Sequence, residues 1–186
     1  MIQLKGEQKN FLIIKILLTN KPKYVILSPM TDRGEKQMTV FFDLDGTLAN
    51  LYSVPNWLAF LEKENPWPYI DAKVMHNMSR LARALNELKK YNIKIGIISW
   101  LSKNSSDDYA IKVTEAKQWW LSNHLRSVKF DYQYIIPYGI NKTQFKFNDD
   151  DILFDDEEKN RTDWGEKAYC PDEIFTVLKQ LVARND

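Results

Sequence analysis

The chain has 186 residues, 44% of them hydrophobic and 27% charged, with 26 Lys+Arg against 25 Asp+Glu. That is one domain's length and an ordinary globular composition, which excludes a disordered chain, a membrane-embedded one and a strongly basic nucleic-acid binder. A single cysteine, Cys170, accompanied only by His76 and His124, excludes a disulfide framework and speaks against a structural zinc site.

The near-neutral charge is unevenly placed. Residues 1–37 hold six Lys and one Arg against Glu7, Asp32 and Glu35, a net 7 − 3 = +4, and the rest hold 19 − 22 = −3. This split marks 1–37 as an N-terminal extension, with Met38 as a candidate start of the domain proper. The apolar run Phe11–Leu18 is interrupted by Lys15 and falls short of the ~20 residues a bilayer span needs. Asn20-Lys21-Pro22-Lys23 stands where a signal peptide would have small cleavage-site residues, so a cytoplasmic location is expected.

From Met38 onward strands and helices alternate. Met38–Phe42 reads as a buried strand and Val54–Glu64 as a helix, followed by a break at Asn65-Pro66-Trp67-Pro68. The spacing of Ile70, Val74, Met78, Leu81, Leu85 and Leu88 predicts one long helix over Tyr69–Lys90. Asn92 turns the chain into a second strand, Ile93–Ile98. Asp107–Leu125 reads as a helix with Tyr109, Val113, Ala116 and Trp120 on one stripe. Tyr132–Ile136 and Ile152–Phe154 are further strands, Lys167–Cys170 is a candidate fifth, and Pro171 opens a closing helix through Val182. This alternation predicts an α/β domain over 38–186, a Rossmann-like parallel sheet flanked by helices, with a small helical insertion at about 49–75.

Chemistry concentrates at strand ends. In Phe41-Phe42-Asp43-Leu44-Asp45-Gly46-Thr47, two carboxylates two residues apart follow an apolar strand, and Gly46 lets the chain turn sharply. In a parallel sheet ligands bind at the carboxyl ends of strands, and paired carboxylates there are retained where a cation or a proton offsets their repulsion. Ser99, Lys142 and the pair Asp155-Asp156 end or follow later strands, so that an acid pair, a hydroxyl, a lysine and a second acid pair converge on one rim. Taken singly, each has an ordinary reading: capping or turn chemistry for Asp43, Asp45 and Ser99, and a solvated surface charge for Lys142. Seven acids stand among residues 149–158, and all but Asp155 and Asp156 are read as solvated charge. Cys170 is read as a small buried hydrophobe, and His76 and His124 as packing or surface residues of helical stretches.

Together these motifs, in this order, resemble the haloacid dehalogenase-like (HAD) phosphohydrolase superfamily over Thr39 to about Trp164. Asn141-Lys142-Thr143, the stretch Asp151–Asp156, Asn160 and Trp164 resemble the 5′(3′)-deoxyribonucleotidase group, and the chain also resembles small HAD proteins of phages and prophages. The resemblance implies a phosphatase with Asp43 as nucleophile, Asp45 as general acid and base, and Ser99 and Lys142 as phosphate-binding and charge-stabilising groups. It implies Mg2+ held by Asp43, the main-chain carbonyl of Asp45, and Asp155 or Asp156. A halide-releasing relative would have no need of Asp45, so the second aspartate favours phosphate transfer. The substrate expected is a small phosphate ester such as a nucleotide, with Tyr52, Trp57, Phe60, Trp67, Tyr69, Trp100 and Lys103 as candidate lining. A polynucleotide 3′-end phosphatase would need a basic track, for which only Lys103, Lys112, Lys117 and Arg126 offer themselves. A non-catalytic interaction protein keeping the fold is the alternative from another class, and the intact residue set argues against it.

Overall fold

The computed structural model describes residues 37–185. The 1–37 extension therefore lies outside the described residues, except for its last position. Five parallel strands form one sheet: β1 (Thr39–Phe42), β4 (Lys94–Trp100), β5 (Tyr132–Ile136), β6 (Ile152–Phe154) and β7 (Ala168–Tyr169), in the order β5-β4-β1-β6-β7. The chain builds outward from β1 through β4 to β5, then returns to the other side for β6 and β7. Such a reversal leaves a crevice beyond the carboxyl ends of the central strands.

Alternation along each strand divides two cores. Val40, Phe42, Ile95, Ile97, Ile152 and Phe154 face the larger one, with α3 (Met78–Lys90), α4 (Asp107–His124) and α6 (Ile174–Asn185). Phe41, Ile98, Tyr134, Ile136 and Leu153 face a thinner layer closed by Phe145 and by Trp164 of α5 (Glu158–Trp164). Near-continuous apolar strands are what burial on both faces requires. Gly96 lies opposite Phe41, whose ring would stand 2.4 Å from a Cβ at that position. The missing side chain is therefore the space that Phe41 fills.

The stripe on α4 is as expected, with Tyr109, Val113, Ala116 and Trp120 all buried. Trp120 is fully buried, and its indole N–H donates to the Ala72 carbonyl at 2.7 Å, which satisfies its polar atom within the core.

The long helix expected over Tyr69–Lys90 is instead three pieces. After α1 (Trp57–Glu62), α2 covers only Trp67–Asp71. Ala72 turns extended at ψ 125°, Lys73–Val74 forms β3 against β2 (Ala49–Asn50), and α3 starts at Met78. Asn77 caps α3 by accepting from the Arg80 N–H at 2.9 Å. The hydrophobic spacing continued across the break because Val74 happens to stand in phase, although it is exposed on the hairpin. Smaller differences follow. Ser99 lies within β4 instead of after it, the last strand is Ala168–Tyr169, and Pro171–Glu173 is a 3-10 turn preceding α6. His76 lies between β3 and α3, not in a helix, and Cys170 is half-buried instead of buried. Among the described residues no helix is long and apolar enough to cross a membrane.

Candidate active site

Register brings the site together. Phe42 pairs with Phe154 on one side and Ile97 on the other, so Asp43 and Asp155 leave adjacent parallel strands side by side. The Asp43 N–H still donates to the Phe154 carbonyl at 2.8 Å, so the nucleophile candidate is anchored by the last rung of the ladder. Beyond it the chain folds over Gly46, at φ +75°, a conformation that L side chains rarely adopt. A Cβ on Gly46 would lie 2.2 Å from Asp156 Oδ2, so the loop after β1 and the end of β6 approach at a distance only glycine allows. Thr47 Oγ1 accepts from the Asp156 N–H at 3.1 Å, and the Thr47 carbonyl lies 2.8 Å from His76 Nε2, tying this loop to the segment before α3.

One buried lysine organises the Asp43 side. Lys142, 2% exposed at the start of the 3-10 turn Lys142–Phe145, lies 2.6 Å from Asp155 Oδ2 and 2.9 Å from Asp43 Oδ1. Burial alone would push its ammonium down, but the two carboxylates outweigh that and hold it above the usual lysine value. Asp155 is fully buried and its oxygens are engaged. Asn160 Nδ2 donates to both at 3.1 and 3.2 Å, and the Glu157 N–H donates to Oδ1 at 3.0 Å. Arg161 Nη1 donates to the carbonyls of Asp155 and Asp156 at 2.8 and 2.6 Å, fixing the loop after β6.

A second buried lysine holds the other acid. Lys117 on α4 is fully buried, and its Nζ lies 2.6 Å from Asp45 Oδ2, 2.8 Å from Ser99 Oγ and 2.6 Å from the Trp100 carbonyl. Burial raises the Asp45 carboxyl above its ordinary value; Lys117 acts against that, and nearby Asp43 adds to it. Lys117 was read above as part of a surface basic track, and the structure corrects this. The available signal was its place on the apolar stripe, four residues after Val113 and four before Leu121, both buried. A lysine there needs an anion to meet it, because buried lysines are rare unless paired. Asp151 is a second correction. It is fully buried, not solvated, and accepts from the N–H groups of Thr39, Phe147 and Asn148 at 2.8, 2.6 and 3.1 Å. It stands at the opposite end of β6 and is structural.

The remaining acids have the character of a cation site. Carboxylate oxygens of Asp43, Asp155 and Asp156 all lie within 4.8 Å of one another, and Asp43 Oδ1 and Asp156 Oδ1 are buried without a hydrogen-bond partner. Lys142 is near Asp43 Oδ1 but out of hydrogen-bonding alignment, so that contact is an ion pair only. Burial, then Asp43 and Asp155, push the Asp156 carboxyl up to about 7. Burial, then Asp43, push Asp155 up to about 6, with Lys142 opposing. Unpartnered buried carboxylate oxygens are costly in an apolar site and suit a hard cation with oxygen ligands. The Asp45 carboxylate stands apart from this trio, on Lys117.

Aromatic side chains border the cluster. The Trp100 ring centroid is 5.2 Å from Lys142 Nζ and 5.0 Å from the ring of exposed Tyr138, with Lys103 Nζ 5.9 Å from Tyr138. Exposed Tyr52 packs edge-on against half-buried Trp57 at 5.2 Å. Its phenol is pushed up by burial and then by Asp156, Asp45 and Asp43, which puts it beside the acids. Of the other candidate lining residues, Trp67 is exposed and Tyr69 buried, with Tyr69 5.0 Å from Lys117 Nζ. Tyr138 was not among the candidates, since an aromatic in a Pro-Tyr-Gly turn looks like ordinary loop surface.

No protein-family model and no curated protein matches the sequence. Among solved structures the chain is similar to a D,D-heptose 1,7-bisphosphate phosphatase from Burkholderia thailandensis. That likeness has a TM-score of 0.52 at 8% identity and covers 79% of this chain and 99% of that one. A looser likeness, TM-score 0.38 at 14% identity over 80% of this chain and 97% of that one, is to the HAD domain of the effector protein Lem4 from Legionella pneumophila. What is shared is the fold: a central parallel five-stranded sheet flanked by helices. This chain has the Rossmann-like α/β fold expected from its alternating strands and helices, with the acidic loop at the end of the central strand.

Proposed function

We propose that this chain is a Mg2+-dependent phosphatase that hydrolyses small phosphate monoesters through an aspartyl-phosphate intermediate. The observation that carries the reading is the trio Asp43, Asp155 and Asp156 around Lys142, with Asp156 Oδ1 buried without a hydrogen-bond partner and Asp43 Oδ1 met by Lys142 alone. Formally the four carboxylates of Asp43, Asp45, Asp155 and Asp156 face two lysines, Lys117 and Lys142, leaving 4 − 2 = 2 negative charges. One divalent cation would cancel them.

Mg2+ would be held by Asp43, the main-chain carbonyl of Asp45 and Asp156, with Asp155 behind them because its oxygens are already occupied. When bound, it supplies positive charge against the anionic phosphoryl group. The chain's own residues do the rest. The Asp43 carboxylate attacks phosphorus as the bond to the alcohol oxygen breaks, and Asp45 gives that oxygen its proton. A water then attacks the same phosphorus, Asp45 takes its proton, and the bond to Asp43 breaks to release inorganic phosphate. Division into two displacements is what a carboxylate nucleophile supplies. Lys142 and the Ser99 hydroxyl hold phosphoryl oxygens, which must be neutralised for an anionic ester to react.

Within this class a nucleotide is the substrate we favour, supported by the aromatic rings of Trp100, Tyr138 and Tyr52 around the acids. A polynucleotide end is less supported than before, because Lys117 is withdrawn from the surface track. Action in the cytoplasm on a soluble small molecule belongs to the same reading. The test is phosphate release with and without Mg2+ from nucleoside monophosphates, sugar phosphates and 3′-phosphorylated oligonucleotides. Mg2+-dependent turnover, greatest on a nucleoside monophosphate, is expected. Absence of release from the whole panel would leave the interaction-protein reading in its place.

A further inference from the structure

Lys117 is a cation that the phosphatase reading does not by itself require, and its ammonium is fully engaged within the protein. An ammonium has three protons to donate and no acceptor. Those of Lys117 meet Asp45 Oδ2, Ser99 Oγ and the Trp100 carbonyl at 2.6, 2.8 and 2.6 Å, while the Tyr69 ring closes the fourth side at 5.0 Å. Lys117 therefore has no donor left for a substrate phosphate. Its bonds have consequences for both partners. With Oδ2 held, the Asp45 carboxyl has one oxygen, Oδ1, left to exchange a proton with a substrate. Because Nζ donates to Ser99 Oγ, an acceptor lone pair of that hydroxyl is occupied and its own proton is free for another acceptor.

We propose that Lys117 is a positioning residue that holds the proton-transfer carboxyl of Asp45 and the phosphate-binding hydroxyl of Ser99 at fixed places from one buried point. The proposal rests on the phosphatase reading and deepens it. Proton transfer to a leaving oxygen is needed when the alcohol is a poor leaving group and hardly needed when it is a good one. Lys117 thereby suits the site to esters of aliphatic alcohols. Its helix, α4, belongs to the domain's core, so the geometry is set by the fold and not by a loop.

The experiment compares wild type with Lys117→Met on two esters, p-nitrophenyl phosphate, whose leaving group departs without help, and glycerol 2-phosphate, whose leaving group does not. General acid–base contributions are typically about 10²- to 10⁴-fold. We expect kcat/KM, which reports the step in which the alcohol leaves, to fall at least about 100-fold on the glycerol ester, in line with that range, and to change less than about tenfold on the aryl ester. KM should rise modestly on both through Ser99. Equal losses of kcat/KM on both esters, or no loss on either, would overturn the proposal. Since Lys117→Met leaves Asp45 buried without its partner, far-UV circular dichroism accompanies the assay, and Asp45→Asn/Lys117→Met is compared with Asp45→Asn alone. That pair decides the matter even if the single variant does not fold. If Lys117 acts through Asp45, the second substitution leaves the ratio of kcat/KM on the two esters unchanged. A further change in that ratio contradicts it. Wild type that turns over neither ester is a different result, the failure of the phosphatase reading, and the proposal falls with it.

Discussion

Gly46→Ala is a single methyl group placed where two parts of the site nearly touch. The new Cβ would lie 2.2, 2.5 and 2.9 Å from Oδ2, Cγ and Oδ1 of Asp156, where ordinary contact begins at 3.4 Å. The carboxylate must therefore retreat by 3.4 − 2.2 = 1.2 Å. Mg2+ ligands stand at roughly 2.0–2.1 Å in near-ideal octahedra, so a displacement of that size removes Asp156 from the ligand set. Separately, holding an L-residue at φ +75° costs about 1–2 kcal/mol. For a domain of this size that is a fall of roughly 2–8 °C in Tm. Thermal melts in EDTA and in excess Mg2+ separate the two effects. Wild type should gain about 2.7 kcal/mol of stability with Mg2+ at a hundred times its Kd, and Gly46→Ala should start a few degrees lower and gain almost nothing. A variant whose Mg2+-induced shift equals that of wild type would refute the argument, because Asp156 would then not be the ligand that Gly46 makes room for.

Further outcomes follow from the same geometry. Asp155 and Asp156 are raised to about 6 and about 7, so the folded protein favours their protonated forms. The stability these forms contribute is complete below pH ~4 and is lost as pH rises through 6 and 7. Mg2+ would need Asp156 ionised as a ligand, so the Mg2+-induced rise in Tm should be larger at pH 8 than at pH 5; an equal or larger rise at pH 5 would count against the site. Asp151→Ala should destabilise by about 3 kcal/mol, since three backbone N–H groups lose their acceptor, and a loss below about 1 kcal/mol in urea denaturation would contradict that role. Tyr138→Ala should raise KM for a nucleoside monophosphate by about tenfold with kcat unchanged, from lost stacking worth about 1–3 kcal/mol. An unchanged KM would remove Tyr138 from the substrate's path.

Residues whose placement depends on strand ends were legible in the sequence. Asp43 and Asp155 follow apolar runs that can only be buried strands, and parallel register sets them side by side. Lys142 follows from the same logic one turn later. Lys117 was not legible in this way, because a lysine on a helix is ordinarily solvent-facing, and its partner Asp45 is 72 residues away in sequence. Only a count of what surrounds it on the stripe betrays it. Asp151 was hidden for the opposite reason: inside a run of acids, composition suggests solvation, whereas backbone donors at the start of β1 and in the preceding loop claim this one. The break at Ala72 escaped because helical spacing survived it, and the hairpin of β2 and β3 is a tertiary pairing that local pattern does not encode.

Asp43→Asn tests the central claim most directly. The substitution keeps size and most polar contacts while removing the proposed nucleophile and one negative charge of the proposed cation site. With fold verified by circular dichroism, Mg2+-dependent phosphate release from the best ester of the panel should fall to background. Turnover retained at more than a small fraction of the wild-type rate would contradict an aspartyl-phosphate mechanism at this site.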